Sequence, residues 1–565
     1  MKILMAQCNF TVGDFSGNKQ KILDLVWRHG HDHDLIVFSE LCLSGYYPMD
    51  LVHQPGFLQA QEEAIEAVRE ATRSFGAAVV LGFIDRNHWT GKPFHNGLMV
   101  LAKGVTQLVY HKRLLPTYNI FDEARHFEPG NLPGMLMLNG YRIGFAICED
   151  LWNDDEDGDY ATMPIKLLAR EKPDFIVSIN ASPSNLGKQA ERLIRFRKLS
   201  AKYRLPLIYV NQVGGNDEIV FDGNSFVTNA NGELIAQLPA FAEHTASLML
   251  DENDELSCTV HPRCNEPSDV EFYYQQIVMG LRDYVSKCGF RGVVVGSSGG
   301  IDSAVTLALA HDALGAENVV AVTMPSRFSS EGSVTDSVAL CTNLGIKLYR
   351  APIEAQFKQA VADFTEAFGE APSRLTQENM QARIRGRILM EYSNHHGNLV
   401  LSTGNKSEMS VGYATLYGDM NGGLNLIGDL YKMEVYALAR YLNEHHGREI
   451  IPQAIIDKAP SAELFEGQKD QDSLPPYPVL DAILRLYIER DLLTEAEIAE
   501  NNALVVRYAD FDVNRVLRMV DAAEFKRRQA PPIIRVHRRS FGTGRRMPIA
   551  KRWTSPAETV VTQHD

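Results

Sequence analysis

The stretch VVVGSSGGIDSAVTLALA, residues 293–310, decides how the second half of the chain folds. Three valines make an apolar β run that stops at Gly296-Ser297-Ser298-Gly299-Gly300, and a second apolar run follows Ile301-Asp302-Ser303 with helical composition. Small residues after a buried strand let backbone N–H groups approach a phosphate, and the next helix turns its positive end toward it. Glycine runs after strands also form ordinary tight turns, so both readings stand at this point. The stretch has neither the GK[ST] ending of a Walker loop nor the GxGxxG of a dinucleotide fingerprint. Serine hydroxyls and loop amides suit a pyrophosphate, and Asp302 suits a Mg²⁺ bridging to it. Without the Walker lysine, the expected chemistry is at the α-phosphorus of ATP, with pyrophosphate leaving into the loop.

Working outward, a βαβ rhythm surrounds this loop: strand 292–296, helix 302–312, strand 318–325, helix 331–343, strand 346–353, helix 378–395, strand 397–405 and helix 432–445. That order predicts a Rossmann-like doubly wound parallel sheet. Residues 1–250 read instead as a layered α/β domain whose strands outnumber its helices. The acidic, aperiodic stretch DENDELSCTVHPRCNEPSDV (251–270) reads as a linker, which sets the domains at 1–250 and 271–540 with a basic tail at 541–565. There is no internal repeat. Residues 526–552 hold ten Lys/Arg and no acid, so they form a solvated tail, a phosphate-facing lid, or an interface with the acidic body.

Composition narrows the partners. A chain of 565 residues with 45% apolar content suits two to four ordinary cores, and a net charge of −15 argues against wrapping nucleic acid. No apolar run approaches bilayer-spanning length, and MKILMAQCNF does not resemble a signal peptide. Seven scattered cysteines without a CxxC point to a reducing, cytoplasmic compartment with most of them buried as fillers.

Three polar residues in the first half end apolar strands: Glu40 in LIVFSEL, Lys112 in VYHKRLLP and Cys148 in FAICEDLW. A cysteine there is either a filler or a nucleophile. Beside an ammonium a thiol is easier to ionise, and a carboxylate can pass its proton to a leaving nitrogen. HGHDHD (29–34) reads as a solvated turn rather than a metal site. Tyr46-Tyr47-Pro48 either walls a pocket near Glu40 or only packs, TLYGDMNGG (415–423) reads as an active-site loop, and PPYPVLD (475–481) as a rigid turn before a helix.

SGGIDS resembles the pyrophosphate loop of the ATP pyrophosphatases, and LTQENMQARIRGRILMEYSN (375–394), LSTGNKSEMSVGYATLYGDMNGGLNLIGDLYK (401–432), KAPSAELFEGQKDQDSLPPYPVLD (458–481) and FKRRQAPP (525–532) resemble the NAD⁺ synthetases. The first half resembles the nitrilase-superfamily amidases, whose triad is Glu-Lys-Cys and whose fold is a four-layer α-β-β-α sandwich. The resemblances imply a triad of Glu40, Lys112 and Cys148, with glutamine bound by Tyr118, Ser182 and Lys188. They imply ATP on Gly296, Ser297, Ser298, Gly299, Gly300, Ile301, Asp302, Ser303 and Thr403, deamido-NAD⁺ on Asn379, Glu408 and Lys526, and Mg²⁺ on Asp302 and Glu408, with Lys432 and Asp429 as further candidates. Two departures are Ser297, where the family more often has a larger apolar residue, and Ser39, where the amidases often have proline. The implied reaction amidates deamido-NAD⁺ with ammonia from glutamine, carried through an internal passage. The alternative is a strictly ammonia-dependent synthetase whose amidase acts on another amide. The substrates are small molecules; no nucleic acid or membrane is implied. A homodimer through the synthetase domain, or a larger homo-oligomer, is.

Overall fold

A computed structural model describes residues 1–561 except 155–157, 252–254, 263–266, 462, 466, 469, 473 and 509–510; residues 562–565 also lie outside it. Cys264, parts of the expected linker and tail, and four positions of the 458–481 motif therefore fall outside the described residues. The chain divides into two compact units, Met1–Glu266 and Pro267–Asp565. Among the described residues no helix is long and apolar enough to cross a membrane.

The first unit stacks two sheets. One has seven strands in the order Leu256–Cys258, His244–Leu250, Lys2–Gln7, Leu35–Val37, Ala78–Arg86, Phe94–Ala102 and Val105–His111. The other has six, ordered Leu234–Gln237, Phe226–Thr228, Leu207–Asn211, Phe175–Asn180, Tyr141–Ile147 and Gly134–Leu138. The strands read as unbroken apolar runs because both faces are buried. Ile3, Met5, Val37 and Val80 meet Ile143, Ile147, Val177 and Ile208 between the sheets. Their alternates Leu4, Ala6, Ile36 and Val79 pack instead with Ile22 and Val26 of helix Phe15–His29 and Ile65 and Val68 of helix Phe57–Ala71. Helices Pro164–Arg170 and Lys188–Tyr203 cover the second sheet through Ile165, Leu168, Phe196 and Leu199. The result is the expected α-β-β-α sandwich. Strand Leu256–Cys258, paired antiparallel with His244–Leu250, lies inside the stretch read as a linker. Its acidic surroundings hide a short edge strand whose outward side chains are polar.

The second unit carries five parallel strands in the order Lys347–Arg350, Val319–Thr323, Val293–Gly296, Leu399–Ser402 and Leu424–Asn425. Numbered along the chain this is 3-2-1-4-5, so the order reverses beside Val293–Gly296. A ligand crevice opens at the carboxyl end of such a switch point, which is where residues 297–300 lie. The two-residue strand Leu424–Asn425 had no signal of its own beside its glycines. It is supported by the chain's far end: Asn425 N–H donates to the Pro532 carbonyl at 2.8 Å, and Ile534 N–H donates to the Asn425 carbonyl at 3.2 Å.

That contact begins a strap formed by the basic segment. Asp429, fully buried, accepts through Oδ2 from Val536 N–H (2.7 Å), His537 N–H (2.8 Å) and Ser540 Oγ (2.6 Å). Lys406 Nζ lies 3.0 Å from its other oxygen and 2.7 Å from Glu489. His537 sits 2.9 Å from Glu434, Arg539 pairs with Asp491, Lys551 with Asp521 and Arg545 with Glu524. Burial works to raise Glu434 and Glu489, but His537 with Arg485, and Lys406 with His537, outweigh it and hold both at about 2. The segment thus commits Arg539, Arg545 and Lys551 to acids of its own unit. Phe541 and Val560, in the stretch read as a tail, pack into a core with Leu480, Leu517 and Ile533. Asp429→Ala leaves two buried N–H donors and Lys406 under-partnered, so it is expected to cost about 3–5 kcal/mol. Urea unfolding and protease cleavage within 533–541 measure the loss; an unchanged midpoint refutes the anchoring role.

Candidate active sites

In the first unit, backbone strain points the candidate residues inward. Cys148 follows strand Tyr141–Ile147 at φ 41°, a left-handed conformation that costs a non-glycine residue about 1 kcal/mol or more. Leu41, next to Glu40, has φ 46°. A Cβ on Gly82 would stand 2.1 Å from the Leu41 nitrogen, so glycine there admits the Glu40 turn onto the neighbouring strand. Lys112 follows strand Val105–His111, and its N–H donates to the Asn96 carbonyl at 2.8 Å.

Lys112 is 1% exposed and its Nζ donates to Glu40 Oε1 at 2.7 Å and to Glu123 Oε1 at 2.8 Å. Asn96 Nδ2 donates to Glu40 at 2.7 Å, Ala181 N–H donates to the second Glu40 oxygen at 2.9 Å, and Tyr46 Oη donates to Glu123 at 2.6 Å. Burial works to discharge Lys112, but Glu123 and Glu40 outweigh it and keep the ammonium well above the ordinary lysine range. Burial pushes Glu123 up to about 7 against the pull of Lys112. Burial and then Glu40 push the Cys148 thiol well up, with Lys112 opposing. A thiol held up in this way acts as a nucleophile only where a base takes its proton as it attacks. Sequence reading missed Glu123: it lies in a single 3-10 turn, Glu123–Arg125, with no periodicity to mark it. Of the Tyr46-Tyr47-Pro48 stretch, Tyr46 both packs in a buried cluster and holds Glu123.

Tyr118 Oη donates to the Glu149 carboxylate at 3.1 Å, as Tyr160 Oη does at 3.0 Å. Ser182 is buried one residue after Ala181, and its N–H donates to Asn211 Oδ1 at 2.9 Å. Lys188 Nζ lies 3.7 Å from the Trp152 ring centre and 3.2 Å from Glu191, with burial lowering its pKa. Burial raises Glu149, while Lys112, the two tyrosine hydroxyls and Lys188 pull it back. Of HGHDHD, His33 is a buried, satisfied histidine, with Nε2 2.9 Å from Ser247 Oγ. Asp50, His53 and His126 also converge, but the two imidazoles hydrogen bond each other at 3.0 Å and Arg125 takes Asp50.

In the second unit, a cavity of about 640 Å³ gathers all of 296–303 with Thr403, Asn379, Glu408 and Lys526, residues spread over more than two hundred positions. Thr415, Gly418 and Asn421 of the glycine-rich stretch line it too. Gly299 has φ 74°, and a Cβ there would fall 2.2 Å from the Ser333 carbonyl oxygen. Ser303 Oγ accepts from Ser298 N–H at 3.3 Å and donates to the Gly300 carbonyl at 3.0 Å, closing the loop onto helix Ile301–Leu314. The Ser297 side chain is buried, and its N–H donates to the Val322 carbonyl at 2.9 Å. Asp302 accepts from Asn405 Nδ2 at 2.9 Å and from Lys432 Nζ at 2.5 Å; Lys432 also reaches Glu408 at 3.0 Å. Burial pushes Glu408 up to about 7 against the pull of Lys432. Lys526 Nζ donates to the Gly412 and Ala414 carbonyls at 2.8 and 2.9 Å, and Asn379 accepts from Thr415 Oγ1 at 2.8 Å. Lys432 faces the cavity, whereas Asp429 is spent on the strap.

The carbon-nitrogen hydrolase family model matches residues 2–255 and the NAD synthase model residues 273–530. A glutamine-dependent NAD(+) synthetase of Synechocystis sp. is 41% identical over 97% of this chain and 98% of its own length. One of Thermotoga maritima is 40% identical over 98% and 99%. The solved structure of a glutamine-dependent NAD+ synthetase from Acinetobacter baumannii, in complex with adenosine diphosphate, superimposes with a TM-score of 0.76 at 38% identity, covering 97% of this chain and 98% of that one.

Glu123→Gln removes one of the two carboxylates that hold Lys112. Amide hydrolysis, followed by ammonia release, is expected to fall about 100-fold. A rate within twofold of the parent excludes Glu123 from the site.

Proposed function

We infer the reaction from the two sites together with the family, since the chain belongs to the glutamine-dependent NAD(+) synthetases. It amidates deamido-NAD⁺ to NAD⁺, taking the nitrogen from glutamine. The observation that carries the reading is the convergence of the pyrophosphate loop, Asn379, Thr403, Glu408 and Lys526 on one cavity, in a chain that also buries Lys112 against Glu40 beside a strained cysteine.

In the first unit, Cys148 Sγ attacks the glutamine amide carbon while Glu40 takes the thiol proton. Lys112 and a backbone N–H near Glu149 stabilise the oxyanion. Glu40 returns the proton to the departing ammonia, leaving a γ-glutamyl thioester. Water then attacks the thioester carbon while Glu40 takes its proton; the C–S bond breaks, Glu40 returns the proton to the departing sulfur, and glutamate and the free Cys148 thiol result. The buried Glu149 carboxylate, with Tyr118, Ser182 and Lys188, supports recognition of glutamine's charged α-amino acid end, because an ammonium is the partner that a buried carboxylate lacks.

In the second unit, the nicotinate carboxylate attacks the α-phosphorus of ATP and pyrophosphate leaves into residues 296–303. Ammonia then attacks the acyl adenylate and expels AMP. Asp302 and Glu408 offer hard oxygen donors at the cavity and fit Mg²⁺, which when bound offsets the charge of the phosphates. Lys432, between those carboxylates, keeps them together. A homo-oligomer built on the second unit belongs to the same reading.

With amide-¹⁵N glutamine the label is expected in the NAD⁺ carboxamide. Cys148→Ala is expected to abolish that transfer while leaving synthesis from ammonium intact. Unlabelled NAD⁺, or glutamine-driven synthesis by Cys148→Ala, sinks the reading in favour of an ammonia-dependent enzyme. Glu149→Gln is expected to raise KM for glutamine about tenfold and to leave hydrolysis of the analogue without an α-amino group unchanged. An equal loss for both substrates removes Glu149 from recognition.

A further inference from the structure

The core shared by the two sheets of the first unit is apolar, and Lys112 follows a strand of one sheet while Cys148 follows a strand of the other. Apolar packing fixes the spacing of two sheets better than their slide along each other, because it is non-directional. Some directional contact has to set where the ammonium stands relative to the sulfur.

We propose that Asp150 is the positioning residue that fixes Lys112 against Cys148, and this rests on the amidase reading above. Asp150 is fully buried, two residues after Cys148 in the turn Cys148–Leu151. Its Oδ1 accepts from Arg113 N–H at 2.8 Å and Leu114 N–H at 3.0 Å. Its Oδ2 accepts from Tyr110 Oη at 2.7 Å and Ile147 N–H at 3.1 Å. Tyr110, inside strand Val105–His111, and residues 113 and 114, just beyond it, bracket Lys112. Ile147 ends the strand that delivers Cys148. A single carboxylate therefore grips the chain on both sides of the lysine and the residue just before the cysteine.

The same bonds exclude a role in proton transfer. Each oxygen already takes two donors, three of them backbone N–H groups that cannot turn away, so neither oxygen is free to accept a substrate proton. A carboxylate suits this place because all four partners donate. An asparagine of the same shape would oppose its NH₂ to at least one N–H.

The test uses the full chain with Asp150→Asn, Asp150→Ala and Tyr110→Phe. Three quantities are measured: glutamine hydrolysis, the pH dependence of iodoacetamide alkylation read on the Cys148 peptide by mass spectrometry, and ammonium-driven NAD⁺ synthesis. A displacement of about 1 Å costs about 100-fold in rate, so Asp150→Ala is expected to lose about that in kcat with KM for glutamine little changed. Asp150→Asn is expected to lose about tenfold, because it keeps half of the bonds, and Tyr110→Phe less. The alkylation midpoint is expected to move up in pH as Lys112 withdraws from the sulfur. Ammonium-driven synthesis is expected to stay at the parent rate. An Asp150→Asn enzyme with parental kcat and an unmoved alkylation profile overturns the proposal, as does a loss confined to KM. Should Asp150→Ala fail to fold, Asp150→Asn and Tyr110→Phe decide by the same criteria. Should the parent itself not hydrolyse glutamine, the functional reading fails, while the alkylation profile still reports whether Asp150 sets the lysine–cysteine geometry.

Discussion

An ammonium taken out of water needs carboxylates around it, and in each half of the chain that requirement shapes the site. Lys112 stands between Glu40 and Glu123, and Lys432 between Asp302 and Glu408. Both trios put two carboxylates on one lysine, and in both a carboxylate is pushed up to about 7. The surplus negative charge is affordable only while something offsets it. In the first unit, the trio lies beside the strained Cys148. In the second, the trio lines the cavity beside residues 296–303. The two units thus share one electrostatic arrangement on different folds.

The parts of these sites that were legible in sequence are those that terminate a regular element. Glu40, Lys112 and Cys148 each end an apolar run, and the loop after Val293–Gly296 is framed by a strand and a helix of contrasting pattern. Glu123, Asn96 and Asp150 were not legible for the opposite reason. Glu123 sits in an aperiodic turn, Asn96 is one polar residue inside a buried strand, and Asp150 looks like a surface acid beside Glu149. Their meaning comes from contacts between separated parts of the chain, such as Asn96 to Glu40 across 56 positions and to Glu123 across 27, which local pattern does not encode.

The basic segment shows the same limit at larger scale. Ten cations without an acid suggested a phosphate-facing surface or a tail as readily as an internal interface. What decided among these was the position of Asp429, Glu434, Glu489 and Asp491, which come together only after helices Lys432–His445 and Tyr477–Ile488 have packed. Lys526 is the member that reaches the cavity, and it does so from two backbone carbonyls.

The join between Asn425 and Pro532–Ile534 has a consequence for how the chain folds as it is made. On the ribosome, strand Leu424–Asn425 emerges long before the residues that complete its outer side. Until they arrive, the parallel sheet has an unprotected edge next to the future catalytic cavity, and closing it requires a contact of high sequence separation. The second unit is thus incomplete until residues 532–534 have been made. During that interval its exposed edge is open to mispairing or to capture by a chaperone.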